Sequence, residues 1–146
     1  MLIANVVKYF MIDLLKMLIT IKNIVLNNIS ANSSLQFPFI IRGNGILNIE
    51  SGFIIKKRVF LFINGRLIIG KSSSLLSNVI INVDKDASLS CGDNLTIEKG
   101  VSISIMENNW IFGSNVYLSE GSSFFSREKK TEGVLSIGNY SNISNN

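Results

Sequence analysis

With 146 residues, 47% of them hydrophobic and 16% charged, the chain has enough length for one sizeable core and is too apolar for disorder. Its net charge of +4 comes from scattered basic residues, which gives no footprint for nucleic acid. There is no histidine, so the commonest general base and commonest metal ligand are both missing, and the single Cys91 excludes an intrachain disulfide or a thiolate metal cluster.

From the N-terminus, Leu2–Leu26 is rich in Ile, Leu, Val and Met, while Asn5, Lys8, Asp13, Lys16, Thr20 and Asn23 fall near one side at about 100° per residue. This spacing predicts an amphipathic α-helix with a narrow polar stripe and a broad apolar face. Lys8, Asp13 and Lys16 interrupt the run too often for a transmembrane span, and the pattern of a cleaved signal peptide is missing. Two roles stay open for it. It caps the first coil of the downstream repeats, or it lies on a membrane surface helped by Lys8, Lys16 and Lys22. Asn27–Ser34 is a polar connector, opened by the turn-forming pair Asn27-Asn28, and Pro38 holds Phe37 extended. The chain thus divides into a helix and connector at 1–36 and a second region at 37–146. The composition changes near residue 40: eleven glycines occur, all from Gly43 onward.

In the second region strands are predicted at Phe39–Ile41, Ile46–Ile49, Phe53–Ile55, Val59–Ile63 and Leu67–Ile69, separated by Gly43-Asn44-Gly45, Ser51-Gly52 and Asn64-Gly65. Gly45–Glu50 aligns with Gly65–Gly70 and with Ala87–Gly92. A short phrase then recurs as Ile69-Gly70-Lys71-Ser72-Ser73, Cys91-Gly92-Asp93-Asn94-Leu95, Ile97-Glu98-Lys99-Gly100-Val101, Phe112-Gly113-Ser114-Asn115-Val116, Leu118-Ser119-Glu120-Gly121-Ser122 and Ile137-Gly138-Asn139-Tyr140-Ser141. Gly70, Gly92, Gly113 and Gly138 recur at intervals of roughly 20–25 residues, the length of one β-helix coil. Inward apolar positions would stack into one continuous core, and the Gly-containing pairs would turn the corners. The expected fold is all-β, a single-stranded parallel β-helix behind an amphipathic helix. The charged run Ser126–Gly133 lengthens the last interval and reads as an excursion from a corner, either a solvated loop or the border of a binding face.

The phrases at Ile69, Ile97 and Ile137 resemble the hexapeptide repeats of the left-handed β-helix acyltransferases. More narrowly, residues 40–146 are similar to bacterial sugar O-acetyltransferases of surface-polysaccharide biosynthesis (capsule, O-antigen or exopolysaccharide). The resemblance implies a left-handed coil and a homotrimer. It also implies acetyl-CoA as co-substrate in the groove between solenoids, a sugar or polysaccharide-precursor acceptor, and no metal. The site would be cytoplasmic, and if the membrane-surface role of 1–26 holds, it would lie peripherally at the inner face of the membrane. It implies a catalytic histidine as well, and no position of this sequence can receive one, so no catalytic residue is assigned. The chain ends just after a fresh phrase opens. It therefore reads either as a transferase cut short before its histidine or as a non-catalytic solenoid for binding or assembly.

Candidates by residue type are few, and each has a plain structural alternative. Asp84, Asp86, Asp93, Glu98 and Glu107 could replace the missing base, or be corner and surface charges. Lys56-Lys57-Arg58 with Arg66 and Lys71 could meet the phosphates of CoA, or be a solvated edge. Ser72/Ser74, Ser88/Ser90 and Ser102/Ser104 could stack as a hydroxyl ladder on one outer face, or be ordinary corner and outward residues. Cys91 heads a phrase as a small core hydrophobe. Trp110 is expected in the core or at a corner, and Asn108-Asn109 in a turn.

Overall fold

The computed structural model describes residues 23–26, 33–126 and 134–144. Seventeen strands follow one another in chain order among them. The first coil holds β1 (Asn23–Leu26), β2 (Ser34–Leu35) and β3 (Phe39–Arg42); the second β4 (Ile46–Ile49), β5 (Ile54–Ile55) and β6 (Val59–Ile63). The third holds β7 (Arg66–Ile69), β8 (Ser74–Leu75) and β9 (Ile80–Val83), and the fourth β10 (Ser88–Cys91), β11 (Thr96–Ile97) and β12 (Ser102–Ile105). The fifth holds β13 (Asn109–Phe112), β14 (Tyr117–Leu118) and β15 (Ser123–Phe125), and β16 (Val134–Ile137) and β17 (Asn142–Ile143) open a sixth.

Every third strand pairs in parallel with its counterpart one coil on, so three sheets enclose the core. Sheet I runs β1-β4-β7-β10-β13-β16, sheet II β2-β5-β8-β11-β14-β17, and sheet III β3-β6-β9-β12-β15. The parallel β-solenoid expected from the repeats is therefore present. The tandem alignment is also the real register: Leu47, Leu67, Leu89 and Trp110 stack in one inward column, and Ile49, Ile69, Cys91 and Phe112 in the next. The apolar residues of these columns are all buried, and so are those of the column Ile41, Leu61, Ile81 and Ile103 on sheet III. Two-residue periodicity puts these side chains inside, and stacked coils bury what one coil cannot.

One expectation is corrected at the N-terminus. Asn23–Leu26 is a strand, β1, paired with β4 through Asn23↔Ile46 to Leu26↔Ile49, and not the end of a helix. Pairing to a preformed edge overrides the helical spacing of these four residues. The rest of the expected helix, residues 1–22, lies outside the described residues. No helix long and apolar enough to cross a membrane occurs among the described residues.

The corners explain the repeated phrase. In the phrases between sheets I and II the fourth residue has positive φ: Ser72 (55°), Asn94 (57°), Asn115 (58°) and Tyr140 (58°). Between sheets II and III the same position holds Arg58, Asn78, Gly100 and Gly121, all with φ between 61° and 74°. This conformation turns each N–H back toward the preceding coil. Asn94 thus donates to the Lys71 carbonyl at 2.8 Å and Asn115 to the Asp93 carbonyl at 2.8 Å, whereas strand amides donate to the following coil. Asparagine is one of the few non-glycine residues that tolerates this region at low cost.

Glycine at the second position has a different task from the one expected. It supplies room, not a positive φ. The residue after it carries a side-chain oxygen that accepts the amide of the coil below: Lys71 N–H to Asp93 Oδ1 at 2.7 Å, Asp93 N–H to Ser114 Oγ at 3.1 Å, Ser114 N–H to Asn139 Oδ1 at 2.7 Å. A Cβ on Gly70, Gly92 or Gly113 would lie 2.5, 2.5 or 2.3 Å from those same oxygens. A hydrogen-bonded ladder therefore climbs this corner, and only glycine leaves space for it. Ser73, buried in the inward column beside it, is satisfied too: its hydroxyl donates to the Gly70 carbonyl at 2.8 Å and accepts from Leu95 N–H at 3.2 Å.

Candidate functional site

The coils are not equally long, and from the second coil onward the difference falls at a single corner. From sheet I to sheet III the step is the same in four successive coils: Ile46 to Phe60, Arg66 to Ile80, Ser88 to Ser102, and Asn109 to Ser123. From sheet III back to sheet I it varies. Ile40 to Ile46 and Phe60 to Arg66 are the shortest returns, Ser102 to Asn109 and Ile80 to Ser88 are longer, and Ser123 to Val134 is the longest. Insertions in a solenoid cost little where the backbone leaves the stack; from the second coil onward they leave it along one edge, whereas the first coil has its extra residues between β1 and β2. The excursion expected at 126–133 begins at this same corner; residues 127–133 lie outside the described residues.

The change of corner length builds a ledge. The early corners are tight: Gly45 donates to the Ile63 carbonyl at 2.9 Å and Ile46 to the Gly65 carbonyl at 2.8 Å. A Cβ on Gly45 or Gly65 would meet backbone oxygen at 2.1 or 2.2 Å, so both positions require glycine. The next corner, Asp84–Ala87, is two residues longer. It is closed by Ala87 N–H to the Asp84 carbonyl at 3.0 Å and by Lys85 N–H to Asp84 Oδ1 at 2.8 Å, with exposed Lys85 at its tip. Below this ledge lies a shallow concavity of about 410 Å³, lined by Asn44, Gly45, Ile46, Asn64, Gly65, Arg66, Lys85 and Ala87. A second of about 230 Å³ adjoins it on the outer side of sheet I, shares Arg66, and adds Ile68, Ser88, Leu89, Ser90, Asn109 and Ile111.

The donor set defines what this edge can hold. Two cations, Arg66 and Lys85, sit with the amides of Asn44, Asn64 and Asn109 and the hydroxyls of Ser88 and Ser90, while Ile46 (45% exposed) and Ile111 (48%) offer apolar patches. Ser88 donates to Asn109 Oδ1 at 2.7 Å, and Asp84 is committed to its own turn. Guanidinium and ammonium groups suit phosphate oxygens, and amides with hydroxyls suit sugar hydroxyls. Among the described residues no three His, Cys, Asp or Glu side chains gather as a metal site.

The sequence candidates are mostly scattered. Lys56-Lys57-Arg58 forms the corner between sheets II and III, Lys71 the corner between I and II, and Arg66 the start of β7 beside the third corner. They do not converge, because the stretch from Lys56 to Lys71 spans less than one coil. Of the five cations only Arg66 lines the concave edge. The carboxylates divide in the same way. Asp84, Asp86 and Glu107 lie at the corner between sheets III and I, and Asp93 belongs to the ladder between I and II. Glu98 follows β11, where it accepts a hydrogen bond from the Tyr117 phenol and thereby raises the Tyr117 pKa. The serine ladder is also corrected. Ser88/Ser90 lie on sheet I, Ser102/Ser104 on sheet III and Ser74 on sheet II, with Ser72 at the adjoining corner. The step from Ser88 to Ser102 carries the chain to another sheet.

Cys91 and Trp110 are both core residues, each 5% exposed. Burial pushes the Cys91 thiol far above its usual range, so it stays protonated and inert at neutral and mildly alkaline pH. In the native protein at pH 8, Cys91 is expected not to react with Ellman's reagent until denaturant is added. Immediate stoichiometric reaction would contradict its place in the core.

Lys85, Asn44 and Asn64 are not legible in the sequence as site residues. The available signal is the uneven coil length, but it points to an edge only once the register is known. Comparison with protein-family models, with curated proteins and with solved structures gives no match.

Proposed function

We propose that the chain is an acyltransferase-like β-solenoid of the left-handed, hexapeptide-repeat kind, acting in the O-acetylation of sugars for a bacterial surface polysaccharide. In this reading it assembles as a trimer in the cytoplasm or at the inner face of the membrane. Its contribution is binding: the edge between sheets III and I holds the phosphates of acetyl-CoA on Arg66 and Lys85, with Asn64, Ser88 and Asn109 toward polar ligand groups. The observation that carries it is the stacking of the Gly-containing phrases at one corner of a three-sided parallel coil. A second reading, a non-catalytic binding or assembly module, is favoured by the lack of histidine and by the dispersal of the carboxylates over three corners. General base catalysis on a sugar hydroxyl needs a group that neither observation supplies.

Calorimetric titration with acetyl-CoA, paired with transfer of radiolabelled acetyl to sugar acceptors, tests the proposal. Binding without transfer is expected. Arg66→Ala should weaken it about tenfold or more, the usual loss for a charge-assisted phosphate contact. No affinity for acetyl-CoA would overturn the acyltransferase-like reading, and affinity unaffected by Arg66→Ala would overturn the placement of the site.

A further inference from the structure

The corner between sheets II and III changes its charge along the solenoid. In the second coil it is Lys56-Lys57-Arg58, and among the described residues none of these three cations pairs with a carboxylate. Two coils on, the corner is Glu98-Lys99-Gly100 and then Ser119-Glu120-Gly121, where Lys99 Nζ meets Glu120 Oε1 at 3.2 Å. One half of the corner is a cluster of uncompensated positive charge, and the other carries its own counter-charges.

The apolar side chains beside the cations follow the same division. On the sheet III side the first outward column is Ile40, Phe60 and Ile80, direct neighbours in register, and it continues as Ser102 and Ser123. The next column, Arg42, Phe62 and Asn82, is mixed, so the apolar strip keeps to the rim of the corner. On the sheet II side Leu76 stands beside Lys56, one coil on. Ile80 is 40% exposed, and Ile40, Phe60 and Leu76 are half-buried. The cations and the apolar strip thus share one end of a single corner, and they form a ridge rather than a cleft. A bilayer interface yields to a ridge: acidic headgroups meet the cations, and the apolar strip enters the boundary beneath them. We propose that this corner, through Lys56, Lys57, Arg58, Phe60 and Ile80, docks the solenoid on a bilayer rich in acidic phospholipid. The inference does not rest on the ligand proposed for the edge between sheets III and I, which is a different corner.

Co-sedimentation of the full chain with vesicles tests it. At low ionic strength the chain should bind vesicles of phosphatidylglycerol with phosphatidylcholine and not vesicles of phosphatidylcholine alone, and added salt should release it. Each cation at such a surface contributes about fivefold in affinity, so Lys57→Gln with Arg58→Asn should weaken binding about 25-fold. Asparagine suits position 58 because φ there is 61°. Lys71→Gln with Lys99→Gln removes as much charge from elsewhere and should change binding by less than about threefold. Undiminished binding of the Lys57 and Arg58 variant would overturn the proposal, as would equal binding to uncharged vesicles or none to either. A changed oligomeric state of that variant without lipid would overturn it in favour of a contact between copies. As a second readout, Cys91 is inert, so a thiol introduced by Ser77→Cys can be labelled alone with an NBD fluorophore. Its emission should shift to the blue on acidic vesicles, whereas the same label introduced by Ser136→Cys, on sheet I, should not respond. An unresponsive label at position 77 would equally overturn it.

Discussion

Replacing Gly70 by alanine is expected to destabilise the protein by about 2–3 kcal/mol, the cost of overpacking against atoms that cannot retreat. The added Cβ would lie 2.5 Å from the Gly92 backbone and 2.5 Å from Asp93 Oδ1, so it must push apart two coils and weaken the bond from Lys71 N–H. Gly138→Ala changes the same position of the same phrase, yet its Cβ would meet nothing within 4 Å. That variant should stay within about 0.5 kcal/mol of the wild type. Urea denaturation of the pair separates two explanations of the repeat. If glycine were there for backbone freedom, both changes would cost alike; because it makes room for the ladder, only the first should.

The second large effect is expected in the core. Leu61 is fully buried between Ile41 and Ile81 in an inward column of sheet III. Leu61→Ala should cost about 3–4 kcal/mol, combining lost transfer free energy with the cavity left between stacked coils. That is a large part of a total stability of about 5–15 kcal/mol for an ordinary domain. Ser104→Ala, outward on the same sheet, should move the urea midpoint hardly at all. Equal effects at the two positions would mean that the inward and outward assignments are wrong.

The strands from Phe39 to Ile69 are readable in the sequence because alternation and turn residues agree at each of them. The coil is readable because Ile69, Cys91, Phe112 and Ile137 keep one relation to the glycine that follows each of them, and these four are neighbours in register. The true task of that glycine is hidden: a contact with the next coil leaves no mark on local sequence, and Asn94 and Asn115 carry the positive φ instead. Asn23–Leu26 misleads because a short apolar segment satisfies helix and strand periods alike, and pairing with β4 decides between them. The site is the least legible part. Arg66 and Lys85 stand nearly a full coil apart along the chain and meet only because one corner is two residues longer than the one before it.

The proposed ligand edge is tested most directly by following backbone amide resonances of the full chain during titration with CoA. Shifts should concentrate on Asn44, Asn64, Gly65, Arg66, Lys85 and Ser88, and leave the corner ladder at Lys71, Asp93 and Ser114 unmoved. Shifts centred on Lys56, Lys57 and Arg58, or no shifts at all, would contradict the proposal that the edge between sheets III and I is the binding face.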